Sequence, residues 1–499
     1  MIGLEQFLAG LSIAITPTNL LAAFLGVLMG TVVGVLPGLG PAAAMSLILP
    51  FSVKYGALTG LIMLAGVWYG AMYGGSTTSI LVNIPGEAAS VVTCIDGYQM
   101  ARKGRAGAAL ALVALGSWVA GTLGMIGLQF FAPIVGRVAL YFGPLEYLAL
   151  LVFSFIVLSV LVGKDQTKGV LMLALGLFLG VIGIDPISGT PRFTFGPTVL
   201  MDGIDLVPVA VGFFGVSEVL KIATNPYSST LATKVRLREL YPNAEEVRRS
   251  IFPVLRGSVL GFFCGLIPGP APTISTFMSY SLEKQLSPCK REFGAGAVEG
   301  VVGPESANNA AVVGSIVPLL ALGIPFSPPA AVMLAGLRLH NVNPGPLLFK
   351  QAPQIFWGFV ASMYLGNVLL LLLNLPLVGF FARIATAPAR ILMPVVSVLM
   401  LVGAYSVRSS MFDVWVMIVS GVSGYIFQRF GYPVAPVVIG LVLGSMVETN
   451  LRLTTQWLHG DPTQILDRPV TLAFLALAFL FQLFITRVGR KTREALSED

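Results

Sequence analysis

The sequence predicts an all-α polytopic membrane protein of two homologous halves, expected to be inverted repeats whose Pro/Gly-broken helices or re-entrant hairpins meet at the midplane. Three observations carry that expectation. Long stretches hold no charged residue, glycine and proline are abundant, and one six-position motif recurs in the second half without a gap.

Nothing charged occurs from Gln6 to Val53, Tyr55 to Gly86, Ala106 to Gly136, Gly257 to Leu282, Ser306 to Leu337 or Gln351 to Ala382. Each stretch exceeds the roughly 20 apolar residues that cross a bilayer as a helix. A chain that is 56% hydrophobic and 11% charged, where an average globular chain is about 25% charged, is not a soluble protein. With 56 glycines and 33 prolines, many spans are expected to be broken or closely packed. The formal charge of +7 sits in short loops between apolar runs, with no basic and aromatic face to stack bases, so nucleic acid is excluded as a main partner. Cys94, Cys264 and Cys289 are odd in number and far apart, which predicts neither a disulfide framework nor a zinc cluster. Met1 to Gly10 carries Glu5 but no Lys or Arg, so the first hydrophobic run is expected to stay in the mature protein rather than serve as a secretory signal.

Gly26, Gly30, Gly34, Pro37, Gly38 and Pro41 recur as Gly257, Gly261, Gly265, Pro268, Gly269 and Pro272, displaced by 231 (257 − 26, and likewise 272 − 41). Later echoes follow: Ile84-Pro85 with Ile324-Pro325, and Pro208-Val209 and Gly212 with Pro436-Val437 and Gly440. Repetition in one order reads as duplication. The expected organisation is a first repeat over 1–220, a basic cytoplasmic linker over 221–256, a second repeat over 257–450, and an extra span with a basic tail over 451–499. The linker holds Lys221, Lys234, Arg236, Arg238, Arg248, Arg249 and Arg256, and the tail Arg487, Arg490, Lys491 and Arg493. Both are expected on the cytoplasmic side, and the N-terminus, which has no Lys or Arg, outside.

Each half opens with a glycine-spaced helix running into a proline-glycine break, at Pro37-Gly38 and at Pro268-Gly269. Proline removes an amide donor and disfavours helix in the residue before it, so such pairs open the backbone. In a membrane that is tolerated only inside protein or against a wet cavity. The Gly-x-x-x-Gly spacing upstream reads instead as close helix packing. A polar cluster follows the first break: Gly75, Ser76, Thr77, Thr78 and then Asn83, Pro85, Gly86 and Glu87. We read Pro304 to Asn309, with Glu305, Ser306, Asn308 and Asn309, then Gly323 and Pro325, as its counterpart. Neutral oxygens and unwound carbonyls can replace the hydration shell of sodium, and free amides at half-helix N-termini can hold a carboxylate. Ser76, Thr77, Asn308 and Asn309 are the sodium ligands this predicts; taken singly, a hydroxyl of this kind also bonds its own helix. Of the acids in the membrane zone, Asp96 and Glu299 read equally as capping positions, while Glu87 and Glu305 lie with the clusters. No Walker loop, nucleophile elbow or paired acid and base set is present, which predicts a chain that is no enzyme and needs no cofactor beyond a coupling ion, sodium in preference to a proton.

At these motifs the chain resembles the large membrane (permease) subunit of the tripartite tricarboxylate transporter family. The matching stretches are Leu36 to Pro41, Tyr73 to Ser76, Asn83 to Glu87, Asp96-Gly97-Tyr98, Glu299 to Val301, Pro304 to Ala310, Leu322 to Pro325, Pro344-Gly345-Pro346 and the Gly444-x-x-x-Glu448 end. Glu305-Ser306-Ala307-Asn308-Asn309 is the most specific of them. The resemblance implies a secondary transporter of small tricarboxylates or dicarboxylates in a bacterial inner membrane, driven by a sodium or proton gradient. It also implies a small four-span membrane subunit and a periplasmic substrate-binding protein as partners. Phe326 and Pro270-Ala271 depart from the expected pattern. An intramembrane enzyme and a channel-like component are the alternatives; the first needs a nucleophile and base, the second neither saturation nor paired motifs.

Inverted halves place equivalent positions on opposite sides of the membrane. Cysteine-accessibility labelling of single-cysteine variants near Lys54 and near Glu283 is expected to give opposite sidedness; labelling from one side would favour a parallel repeat.

Overall fold

A computed structural model describes residues 2–36, 39–161, 165–185, 188–196, 198–224, 240–385 and 389–497. Pro37 and Gly38, and the 225–239 part of the expected linker, lie outside the described residues. In chain order the helices are α1 (Ile2–Ala14), α2 (Pro17–Gly34), α3 (Pro41–Ser52), α4 (Ala57–Val82), α5 (Val91–Arg102), α6 (Ala106–Ala139), α7 (Pro144–Leu161), α8 (Gln166–Gly180), α9 (Leu206–Ala210), α10 (Ser217–Thr224), α11 (Ala244–Gly265), α12 (Ala271–Leu286), α13 (Glu299–Leu322), α14 (Pro328–Leu339), α15 (Leu348–Gln351), α16 (Pro353–Asn374), α17 (Val378–Ala385), α18 (Ala389–Arg408), α19 (Met411–Arg429), α20 (Ala435–Leu458) and α21 (Pro469–Ser497). A π-helical stretch, Val211–Val216, joins α9 to α10. β1 (Gly183–Ile184) and β2 (Pro191–Arg192) form a short antiparallel ribbon. Among the described residues, eight helices are long and apolar enough to cross a membrane: α2, α4, α6, Leu206–Thr224, α13, α16, α19 and α20. This is an all-α, multi-pass membrane protein.

The chain forms two compact units, Met1–Arg137 with Asp205–Ile426, and Val138–Ile204 with Phe427–Asp499. Each half of the sequence supplies part of both.

In the larger unit, glycine spacing sets the packing. Residues four apart share a helix face, so Gly26, Gly30 and Gly34 form one ridge of α2. A Cβ on them would lie 2.4, 2.4 and 2.2 Å from the carbonyl oxygens of Met63, Val67 and Ala71 on α4. Both sets advance together, so α2 and α4 run parallel, and the Thr59 hydroxyl donates to Asn19 Oδ1 at 2.6 Å where they begin. The chain must therefore return from the end of α2 to its start, and α3 makes that return. At 12 residues it is about 18 Å long, half a span. The second half repeats the arrangement: a Cβ on Gly257, Gly261 and Gly265 of α11 would lie 2.4, 2.1 and 2.4 Å from the carbonyl oxygens of Gly303, Ala307 and Ala311 on α13, in the same sense. Between them α12 returns, with Arg256 of α11 paired to Glu283 of α12 and Arg249 of α11 to Glu299 at the start of α13.

Both long helices stop on a left-handed residue, α4 at Asn83 (φ 59°) and α13 at Gly323 (φ 72°), the conformation that Asn and Gly tolerate best. Beyond each stop the chain crosses to the other half. On α5, Gly97 faces Val301 of α13; on α14, Gly336 faces Leu61 and Leu64 of α4 and Leu49 of α3.

The smaller unit is held the same way. A Cβ on Gly176 of α8 would meet the Val437 carbonyl oxygen of α20 at 2.1 Å, and one on Gly440 the Leu173 carbonyl at 2.6 Å. Arg192 of the ribbon pairs with Glu448, and Arg452 bridges Glu448 and Asp185.

Gly261→Val is expected to force α11 from α13, at the roughly 1–3 kcal/mol typical of overpacking. Gly379→Ala, where no atom lies within 4 Å of the added Cβ, should change little. Thermal unfolding of both variants in detergent checks the difference.

Candidate functional site

Glu305 lies on the second turn of α13 and is fully buried. Its carboxylate accepts from the Ser76 hydroxyl of α4 at 2.7 Å and from the Thr93 hydroxyl of α5. One turn on, Asn309 Nδ2 donates to Ser117 Oγ of α6 at 2.8 Å and to the Glu305 carbonyl at 2.9 Å. Asn308 Nδ2 donates to Glu87 Oε1 at 3.2 Å, while Asn308 Oδ1 and Ser306 Oγ have no hydrogen-bond partner. Ser76, Glu87, Glu305, Asn308 and Asn309 thus meet, and Thr93 and Ser117 join them without having been expected from the sequence. Thr93 carried no signal beyond a hydroxyl in an apolar run shortly before Asp96.

Other expected site residues have different places. Thr77 donates to the Tyr73 carbonyl at 3.3 Å and Thr78 to the Gly75 carbonyl at 2.9 Å. Those bonds stay within their own helix, and Thr77 faces a separate void of about 20 Å³ beside Asn374. Asn83 is exposed and ends its helix. Ser76 stands seven residues before the left-handed stop of α4 and Ser306 seventeen before that of α13. The polar clusters therefore occupy different turns of the two helices rather than matching positions. Gly75 and Gly86 serve close passage: a Cβ on Gly86 would lie 2.4 Å from Gly75 Cα and 2.8 Å from the Gly34 carbonyl oxygen.

The loop so held forms one wall of a cavity of about 590 Å³. Pro85, Gly86 and Glu87 line it with Trp68 and Met72 of α4, Phe214, Glu218 and Lys221. Three helices begin there: α3 through Gly40, Pro41 and Ala42, α12 through Pro270, Pro272 and Thr273, and α14 through Ser327, Pro328 and Pro329. Ser327 caps α14 by accepting from the Ala330 amide. Neither α3 nor α12 has a side-chain cap. Pro41 and Pro272 carry no amide hydrogen and the Ala271 amide donates to the Gly269 carbonyl at 2.8 Å, so the amides of Ala42 and Ala43 on α3 and of Thr273 on α12, with the positive ends of the peptide dipoles, are left for whatever occupies the cavity. The break before α12 keeps its shape because Gly269, at φ 132°, donates its amide to the Phe326 carbonyl at 3.2 Å. Phe326 thus acts from a buried position through its backbone, whereas Pro270, the other departure, faces the cavity.

A family model described as the Tripartite tricarboxylate transporter TctA family matches residues 20–439. The chain belongs to that family. Similar curated proteins come from Agrobacterium vitis. The 52.8 kDa protein of the TAR-I ttuC′ 3′ region is 45% identical over 468 residues, 94% of this chain and 93% of the relative. The protein of the TAR-II ttuC′ 3′ region is 43% identical over 220 residues, 44% of this chain and 91% of the relative. No solved structure matches the chain. As a TctA-family member it is a membrane subunit of the tripartite tricarboxylate transporter type.

In this TctA-family chain the two acids read as either functional or capping are structural. Glu299 pairs with Arg249, and Asp96 Oδ1 accepts the amides of Gly294, Gly296 and Ala297 at 2.6–2.9 Å while its Oδ2 accepts from the Tyr280 hydroxyl at 2.9 Å. Asp96→Ala would leave those amides unpaired, at about 1–3 kcal/mol for each buried group. It is expected to lower the unfolding temperature in detergent far more than Tyr280→Phe, which removes a single donor.

Proposed function

We propose that this subunit imports a small organic carboxylate across a bacterial inner membrane, by secondary transport coupled to sodium. The observation that carries the proposal is the convergence of two uncapped helix N-termini, α3 from the first half and α12 from the second, on one cavity. Helix N-termini bind anions without needing a full positive charge, and two of them at one cavity suit a substrate with more than one carboxylate. Lys221 at the rim is held by Glu218 at 3.1 Å, which leaves the amides as the principal anion donors. The reading includes a small four-span membrane subunit and a periplasmic binding protein that delivers substrate, as in a tripartite system. It also treats the halves as inverted repeats with re-entrant α3 and α12. Support comes from the matching α2–α3–α4 and α11–α12–α13 arrangements and from the reciprocal crossing of α5 and α14. Catalysis is not part of the proposal: of the hydroxyls at the cavity wall, that of Ser327 is spent as a helix cap, and the titratable neighbours are Glu87, Glu218 and Lys221.

Sodium is favoured because the Glu305 carboxylate, the Ser76 and Thr93 hydroxyls and the unpartnered Asn308 Oδ1 present oxygen, the donor that hard cations take. Thr77, one of the ligands first expected, is left out because its hydroxyl is turned to its own helix.

Proteoliposomes holding the complete membrane assembly, given a binding protein loaded with labelled citrate or succinate, test the reading under an imposed sodium gradient at equal pH. Uptake is expected to require sodium. Ser76→Ala and Asn309→Ala should weaken it by about tenfold to a hundredfold, as losing a buried hydrogen-bonding group costs about 1–3 kcal/mol. Uptake indifferent to sodium but stopped by a protonophore would overturn the choice of ion.

A further inference from the structure

We propose that Glu305, Glu87 and Asn308 form the coupling-cation site, that it takes sodium, and that filling it is what admits an anionic substrate to the adjoining cavity. This rests on the carboxylate reading above.

The first ground is charge compensation. Among the described residues, the other buried acids each have a cation or backbone amides as partners. Glu283 pairs with Arg256, Asp413 with Arg408, Glu299 with Arg249, Glu218 with Lys221, Asp185 with Arg452 and Glu146 with Arg468, and Asp96 accepts from backbone amides. Glu305, with no exposed surface, has only neutral partners, the Ser76 and Thr93 hydroxyls and the Asn308 side chain, and neither Glu305 nor Glu87 takes part in an ion pair. A buried carboxylate in that condition must acquire a cation or a proton.

The second ground is independent of the acids. Asn308 is wholly buried, and its amide bridges toward Glu87 through Nδ2 while Oδ1 finds no hydrogen-bond partner. A buried carbonyl oxygen without a donor is an acceptor awaiting a ligand. Ser76 and Thr93 spend their protons on Glu305 but keep oxygen lone pairs. The site offers hard oxygens, the donors that an alkali cation such as sodium takes.

Glu87 joins this site to transport. It contacts Asn308 and also lines the substrate cavity. An unneutralised carboxylate there repels an anion across a poorly screened gap. The cation therefore binds first and the substrate second. Because binding coupling is reciprocal, carboxylate must tighten sodium by the factor with which sodium tightens carboxylate.

Equilibrium binding of ²²Na⁺ to the full chain in lipid nanodiscs, with and without citrate or succinate, provides the test. Wild type is expected to bind sodium with no carboxylate present, and sodium to raise carboxylate affinity at least tenfold. Glu305→Gln should abolish ²²Na⁺ binding, and Asn308→Ala, which leaves the Glu305 hydroxyl partners in place, should weaken it about tenfold. In Glu87→Gln carboxylate binding should no longer depend on sodium. Wild-type sodium affinity in both folded Glu305→Gln and Asn308→Ala, or displacement of ²²Na⁺ by equimolar calcium, overturns the site. Failure of the carboxylate reading looks different: neither acid affects the wild-type chain, while ²²Na⁺ binding is still lost in Glu305→Gln. That result removes the binding order and leaves the cation site standing.

Discussion

The close approach of parallel helices over glycine is the constraint on which the larger unit depends. Where Gly30 meets Val67 and Gly261 meets Ala307, helix backbone touches helix backbone with no side chain between them. Lipid offers little hydrophobic reward for bringing helices together, so dispersion at short range has to do it. Parallel packing of two consecutive long helices obliges the segment between them to run back, which makes α3 and α12 short returning helices. Their N-termini then lie inside the protein and stay uncapped at the cavity. The anion-binding character we propose thus follows from packing geometry more than from charged side chains.

A second constraint is electrostatic. A chain with few acids in its membrane zone has given nearly all of the buried ones a compensating partner. Some of these pairs, such as Arg249 with Glu299 and Arg256 with Glu283, tie the two parallel helices and their return together at one end. Asp96 fastens the start of α13 to the first half through backbone amides. Against that background Glu305 stands apart, because its position beside Ser76 and Thr93 brings hydroxyls and no cation.

The polar stretches were legible, but their arrangement was not. Ser76, Thr77 and Thr78 are adjacent in the chain, yet successive helical residues point about 100° apart. Only Ser76 faces Glu305, while Thr77 and Thr78 bond their own helix. The two polar clusters, read as counterparts, occupy different turns for a related reason: short polar motifs align by composition, whereas the left-handed stops at Asn83 and Gly323 count turns along the helix. Asn83 belongs with the stop rather than the cluster, since its side chain is chosen for tolerance of positive φ.

By itself the sequence determined the properties that depend on local chemistry and on periodicity. Uncharged runs longer than a bilayer is thick mark membrane spans, four-residue glycine spacing marks a packing ridge, and paired prolines and glycines mark breaks. Tertiary structure decided which residues meet. Thr93 reaches Glu305 and Ser117 reaches Asn309 across roughly two hundred positions of chain. Such pairings depend on how α5 and α6 cross α13, an outcome of the whole packing that no window of sequence contains. Whether a buried acid finds an arginine, as Glu283 does, or only neutral donors, as Glu305 does, is likewise settled by neighbours distant in the chain, because electrostatic compensation acts through space.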